Sequence, residues 1–164
     1  MFINYFNPIS DSFNSFKENL NQNQIGFHVQ AYYEDFPDID RADVALIFVP
    51  ENRGGGENSK IDCVKLRESI YALFQGDWKF RIVDFGDLKL GNNLKDTYFA
   101  LNDLVSNLLS QSVFPIIFGG TNDLIYPVYS AYESFSRGVN LLCVDSKFDL
   151  IDTNSLEINS RNFL

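Results

Sequence analysis

Apolar residues in this chain come in short blocks separated by polar, turn-forming stretches, and the blocks have the lengths of strands and helices. Val44-Ala45-Leu46-Ile47-Phe48-Val49 is a continuous apolar run ended by Pro50, which is how a strand buried on both faces reads. Phe80 to Asp87 predicts a second strand and its exit, and Phe114 to Phe118 a third, stopping at Gly119-Gly120. Val139 to Val144 predicts a fourth, ending at Asp145. Between these runs the period changes to three and four. A helix is expected from about Ile61 to Phe74, with Val64, Ile70, Leu73 and Phe74 on or near one face. Another spans Leu94 to Leu109, with Leu101, Leu104, Val105, Leu108 and Leu109 as its apolar stripe. A third runs from about Asp123 to Arg137. Strand and helix therefore alternate from Val44 to Val144. That order predicts βαβ units, hence an α/β fold of three αβα layers around a mainly parallel sheet.

The first 42 residues break this pattern. They are polar and rich in Asn, with Phe2, Phe6, Phe13 and Phe16 unevenly spaced. They read as an N-terminal arm (1–42) that packs its aromatics on the α/β domain (43–164). Ser12 or Asp11 is placed to cap a short helix through Leu20. The loose alternation from Phe27 to Tyr33 predicts an edge strand.

Composition narrows the class. At 164 residues the chain has the length of one domain, by the usual span of roughly 100–200 residues. An apolar content of 45% excludes disorder. A net charge of −9 argues against nucleic acid, which is bound by neutralising phosphates with Lys and Arg. No basic, apolar leader pattern opens the chain. No run approaches the roughly 20 apolar residues that cross a bilayer. Cys63 and Cys143 fall in a helix-like and a strand-like run and read as buried reduced thiols, which fits a cytoplasmic protein.

The candidate chemistry gathers where the strands stop, since ligands of open α/β sheets collect beyond the carboxyl ends of the strands. Gly119 and Gly120 allow positive φ or close backbone approach. They could also present N–H groups to an anion at the following helix. Asn122 and Asp123 suit helix capping or ligand contact. Arg53, beside Gly54-Gly55-Gly56, either binds a carboxylate or is solvated, and that loop is either a substrate loop or a flexible link. Asp145 and Asp149 place two carboxylates at the last strand tip. His28, far from these in sequence, reads as structural or surface.

Gly119-Gly120-Thr121-Asn122-Asp123 and Asp145-Ser146-Lys147-Phe148-Asp149 resemble the Gly-Gly-Asp-His-Ser and Asp-Ala-His-x-Asp signatures of the ureohydrolases, the family of arginase, agmatinase and formimidoylglutamase. Phe48-Val49-Pro50-Glu51-Asn52-Arg53-Gly54, Lys65-Leu66-Arg67 and Asp84-Phe85-Gly86-Asp87 look similar to further stretches of that family, in the same order. The resemblance implies the N-terminal portion of the arginase/deacetylase fold, with a lean towards the formimidoylglutamase-like branch. It also implies that Asp145 and Asp149 stand where the family places a bridging and a terminal ligand of a dinuclear Mn²⁺ centre. Such a centre activates a hydroxide towards a guanidinium or formimino carbon. Here Asn122 and Lys147 stand where the family has histidines, and the chain's single histidine is His28. No rearrangement supplies two imidazoles. The family's later half, with its Ser-x-Asp-x-Asp strand and catalytic Glu and His, has no counterpart here.

The resulting expectation is a catalytically inactive ureohydrolase-like domain, with no cofactor and a vestigial metal position at Asp145 and Asp149. It would act through protein contacts, as part of a longer chain or a homo-oligomer, with Lys147 neutralising the aspartates. Against it stand an oxygen-only Mg²⁺ or Ca²⁺ site and a Mn²⁺-dependent hydrolase of formiminoglutamate, agmatine or arginine. A third reading is an anion- or nucleotide-binding module at Gly119-Gly120.

Overall fold

The computed structural model describes residues 2–55, 61–135, 138–145 and 158. Three parallel strands form the centre: β3 (Val44–Phe48) pairs with β4 (Ile82–Leu88) on one side and β5 (Phe114–Phe118) on the other. The outer edge of β4 is shared by two short strands of the N-terminal segment. β1 (Phe6–Asn7) runs antiparallel beside Asp87 and Leu88, and β2 (Gln30–Ala31) runs parallel beside Val83 and Asp84. β2 lies inside the edge strand expected over Phe27 to Tyr33, whereas the two residues of β1 carry no legible period and escape sequence reading.

Alternation along β3 divides the core. Ala45, Ile47 and Val49 face one side, with Val83 and Phe85 of β4, against α4 (Leu94–Ser110) and α5 (Ile125–Phe135). The buried stripe of α4 is Leu101, Leu104, Val105 and Leu108, as its spacing predicts. Leu46, Phe48 and Ile82 face the other side, against α3 (Cys63–Tyr71) and the arm. The arm holds α1 (Asn14–Glu18) and α2 (Ile25–His28) and buries Phe6 and Phe13 completely. A 3₁₀ turn at Asp11–Phe13 precedes α1, capped by Ser10 rather than by Asp11 or Ser12. The result is a three-layer αβα sandwich around a mainly parallel sheet.

Three expectations need correction. The buried face of α3 is Cys63, Arg67 and Tyr71, with the expected Val64 partly buried against the same core, and not Leu73 and Phe74. Leu73 and Phe74 are 53% and 73% exposed. The helix turns polar heads inward because Asp84 on β4 offers them a buried acceptor. Second, residues 138–145 form no strand, and Leu142 and Val144 are 87% and 92% exposed. A strand is defined by its ladder, and among the described residues no strand forms a backbone ladder with this segment. Third, Cys143 is exposed while Cys63 is buried, both as free thiols. Burial, with Asp87 nearby, pushes the Cys63 thiol up to about 11. A thiol-specific chromogenic reagent at pH 8 is therefore expected to titrate Cys143 at once and Cys63 only after denaturant is added. Equal rates for both thiols would contradict this burial.

Candidate functional site

The carboxyl ends of β3, β4 and β5 open on one side of the sheet, and polar residues gather there in three connected groups. The first follows β5. Gly119 and Gly120 both have positive φ, 104° and 73°. A Cβ on either would come within 2.9 Å of a carbonyl oxygen, that of Val49 and of Glu51 respectively. The glycines thus let the exit of β5 lie against the exit of β3. Asn122 then directs its amide outward, and its Nδ2 donates to Asp145 Oδ2 at 2.7 Å. The two strand-end stretches singled out in the sequence therefore meet in space. Asp149 and Lys147 lie outside the described residues, as does Gly56.

Neither Asn122 nor Asp123 caps a helix. The cap position of the 3₁₀ turn Asn122–Leu124 belongs to Thr121, whose side chain makes no capping bond to the backbone. Asp123 is fully buried and accepts hydrogen bonds from the hydroxyls of Tyr98 and Thr121. Burial, then the bond to Asp123, raises the Tyr98 phenol above its ordinary range. Gly54 closes over the Asp123 carboxylate, leaving no room for a side chain there.

The second group follows β3. Arg53 lies two residues after Glu51 and grips its carboxylate with Nε at 2.9 Å and Nη2 at 2.6 Å. The same guanidinium donates to the carbonyls of Gly91, Asn92 and Asn93 and to Thr97 Oγ1. The carboxylate that Arg53 binds is thus one of its own loop. Burial pushes the Glu51 carboxyl up, but the bonds from Arg53 and Thr97 and the guanidinium charge outweigh it, leaving it below its ordinary value.

The third group is carried by β4 itself, at Asp84 and Asp87. Arg67 of α3, fully buried, donates to Asp84 at 2.8 Å and to Asp87 at 2.8 Å and lies 3.9 Å above the Phe48 ring. Asp84 also accepts from Tyr71 Oη at 2.9 Å and Gly86 N at 2.8 Å. Burial raises the Asp84 carboxyl, with Arg67, Gly86 and Tyr71 opposing it. Burial likewise opposes the charge on Arg67, but the two aspartates hold the guanidinium above its ordinary value.

Sequence reading missed Glu51, Tyr98 and Thr97 as members of these groups, and gave Asp123 a capping or ligand role rather than a buried one, because acidic and hydroxyl residues carry a surface prior. One signal was there to use: Glu51 directly follows a buried strand, with a cation two residues on. His28 is remote from all three groups. Its ring meets Gln22 O at 2.8 Å, in a groove shared with Arg81 and Ile82 at the amino end of β4.

The sequence matches the arginase family over residues 59–162. The chain belongs to the arginase family. Solved structures agree on the fold. A Trypanosoma cruzi formiminoglutamase with Mn²⁺ is 22% identical, with a TM-score of 0.66 over 78% of this chain and 51% of its own. The formimidoylglutamase of Bacillus subtilis is 14% identical, with a TM-score of 0.70 over 93% and 53%. A putative agmatinase from Clostridium difficile is 17% identical, with a TM-score of 0.63 over 76% and 49%. This arginase-family chain thus spans about half the length of the solved chains it matches. Among curated proteins no match was found.

The two-manganese centre that the resemblance implies draws on imidazole donors, and among the described residues none lies at the carboxyl ends of the strands, so these residues do not fit it. The one histidine is at the far end of the sheet. Asn122 offers an N–H to Asp145 where a ligand would offer a lone pair. Among the described residues no three His, Cys, Asp or Glu side chains gather as a metal site. No helix among them is long and apolar enough to cross a membrane.

Proposed function

We propose that this chain is a catalytically inactive arginase-family domain that acts through protein contacts. The observation that carries the reading is the Asn122 to Asp145 hydrogen bond of 2.7 Å. Beyond the end of β5 an amide N–H occupies one oxygen of the Asp145 carboxylate, and the polar groups around it are paired with one another. Glu51 holds Arg53, Asp84 and Asp87 hold Arg67, and Asp123 holds Tyr98 and Thr121. Among the described residues of these groups, such pairing serves shape rather than holding a base or nucleophile free for substrate.

The test is metal content. After reconstitution with Mn²⁺ and removal of loose ions on a desalting column, the chain is expected to retain well under one ion. Two tightly held ions per chain would overturn the proposal. So would release of formamide or urea from formiminoglutamate, agmatine or arginine that Asp145→Ala abolishes. That pair of results would support the metal-dependent hydrolase instead.

A further inference from the structure

We propose that the groove at the amino end of β4 binds a free amino acid with an aromatic side chain. The groove has a volume of about 730 Å³, within the range of small-molecule sites. It lies at the end of the sheet opposite to the three polar groups, so the proposal goes beyond the reading above and does not depend on it.

Two segments wall the groove. The arm contributes Asp38 and Arg41, and the loop between α3 and β4 contributes Asp77, Trp78 and Lys79. Each segment thus brings one carboxylate and one cation. Asp38, Arg41, Asp77 and Lys79 form no ion pair with one another or with any other described residue. Opposite charges that met across the groove would close it. Held apart, they offer a ligand one place for an anion and another for a cation. Arg81, a third cation of the lining, is engaged by Asp43 at 3.0 Å, and His28 by the Gln22 carbonyl at 2.8 Å. The remaining charges balance, and a balanced set complements a zwitterion better than a simple anion or cation.

The ring of the ligand has a platform. Trp78 is the chain's one tryptophan, and it stands 40% exposed. Its indole packs on Gly76, whose φ is 68° and where a Cβ would lie 2.6 Å from Trp78 Nε1. The turn therefore needs glycine for its backbone and for the indole alike. Gln75 ties the same turn down, donating Nε2 to Trp78 O at 3.1 Å and its backbone N to Asn23 O at 2.8 Å. Phe80 also lines the groove, with its ring centre 5.8 Å from that of Trp78. An aromatic ring laid on this pair buries apolar area and gains ring contacts. Arg41, with its planar fork, then meets the α-carboxylate, and Asp77, beside Trp78 in the chain, meets the α-ammonium.

Trp78 is also the reporter. Its fluorescence, excited beyond the tyrosine and phenylalanine bands, reads the occupancy of the groove in the whole chain. Titration with phenylalanine is expected to change the emission and saturate. Its affinity should exceed by about tenfold or more that of hydrocinnamate, which lacks the ammonium, phenethylamine, which lacks the carboxylate, and glycine, which lacks the ring. Arg41→Gln and Asp77→Asn alter exposed side chains that the fold tolerates, and each is expected to weaken phenylalanine about tenfold. No saturable change by about 10 mM phenylalanine, a fragment that binds as tightly as phenylalanine, or an affinity that either variant leaves unchanged would overturn the proposal.

Discussion

Arg67→Ala is expected to destabilise the domain by about 3–5 kcal/mol at neutral pH, the range for removing one partner of a buried ion pair. For a chain of this size that lowers the melting temperature by roughly 6–20 °C. The guanidinium joins α3 to two aspartates of β4 and covers the Phe48 ring. Its loss leaves Asp84 fully buried, with only Tyr71 and Gly86 as donors. Burial already raises the Asp84 carboxyl, and in the variant nothing cationic opposes it. A carboxyl whose folded pKa lies above its unfolded value of 3.8 costs nothing below that value. The penalty appears as pH rises through the folded pKa. The deficit of Arg67→Ala should therefore shrink in acid and be largest near neutrality. Arg67 Nη1 is itself buried without a partner, so the pair is not a large net source of stability. The double variant Arg67→Met, Asp84→Leu should lose less than either single change. Denaturant titrations of the three variants measure this. A cost below about 1 kcal/mol for Arg67→Ala would mean that apolar packing alone seats α3.

That cluster also shows where sequence reading stops. The strands β3 and β5 and the helix α4 were legible because each is dictated by one variable, the spacing of apolar residues. Gly119 and Gly120 were legible because few residues tolerate positive φ. The inward face of α3 was not. Arg67 and Tyr71 bury long side chains for the sake of Asp84, and a pattern that counts arginine as surface assigns the face to Leu73 and Phe74 instead. Residues 141–144 mislead in the opposite direction. Leu141-Leu142-Cys143-Val144 has strand composition, but composition supplies no ladder, and Ile117 of β5 lies across a hollow from it. The meeting of Asn122 with Asp145 was legible only through the motif frame, since it joins residues 23 apart in sequence. The burial of Glu51 and Asp123 was hidden because a fully buried carboxylate depends on its donors, and some of these, Thr97 for Glu51 and Tyr98 for Asp123, come from another element.

Arg53→Ala is expected to reverse the sign of one contribution to the pH dependence of stability. In the native chain the Glu51 carboxyl lies below its ordinary value of 4.5, because Arg53 and Thr97 outweigh burial. A depressed carboxyl contributes stability that is complete above 4.5 and is lost as pH falls through the folded value. Without the guanidinium, burial dominates and Glu51 moves above 4.5. Its contribution then becomes a penalty, absent in acid and growing as pH rises. The gap between native and variant should widen from acid to neutral pH by about 2 kcal/mol. This falls short of a fully buried pair because the Arg53 side chain is 40% exposed and water screens it. A second, pH-independent loss of about 1 kcal/mol is expected from the freed carbonyls of Gly91, Asn92 and Asn93. Arg53 ties these to the start of α4. Melting temperatures between pH 3 and 8 separate the two losses. Glu51→Gln removes the ionisation while keeping the shape, so in that background Arg53→Ala should shift the whole curve without tilting it. A tilt that persists in the double variant would assign the pH dependence to another group, and parallel native and Arg53→Ala curves would mean that solvent, rather than Arg53, keeps Glu51 ionised.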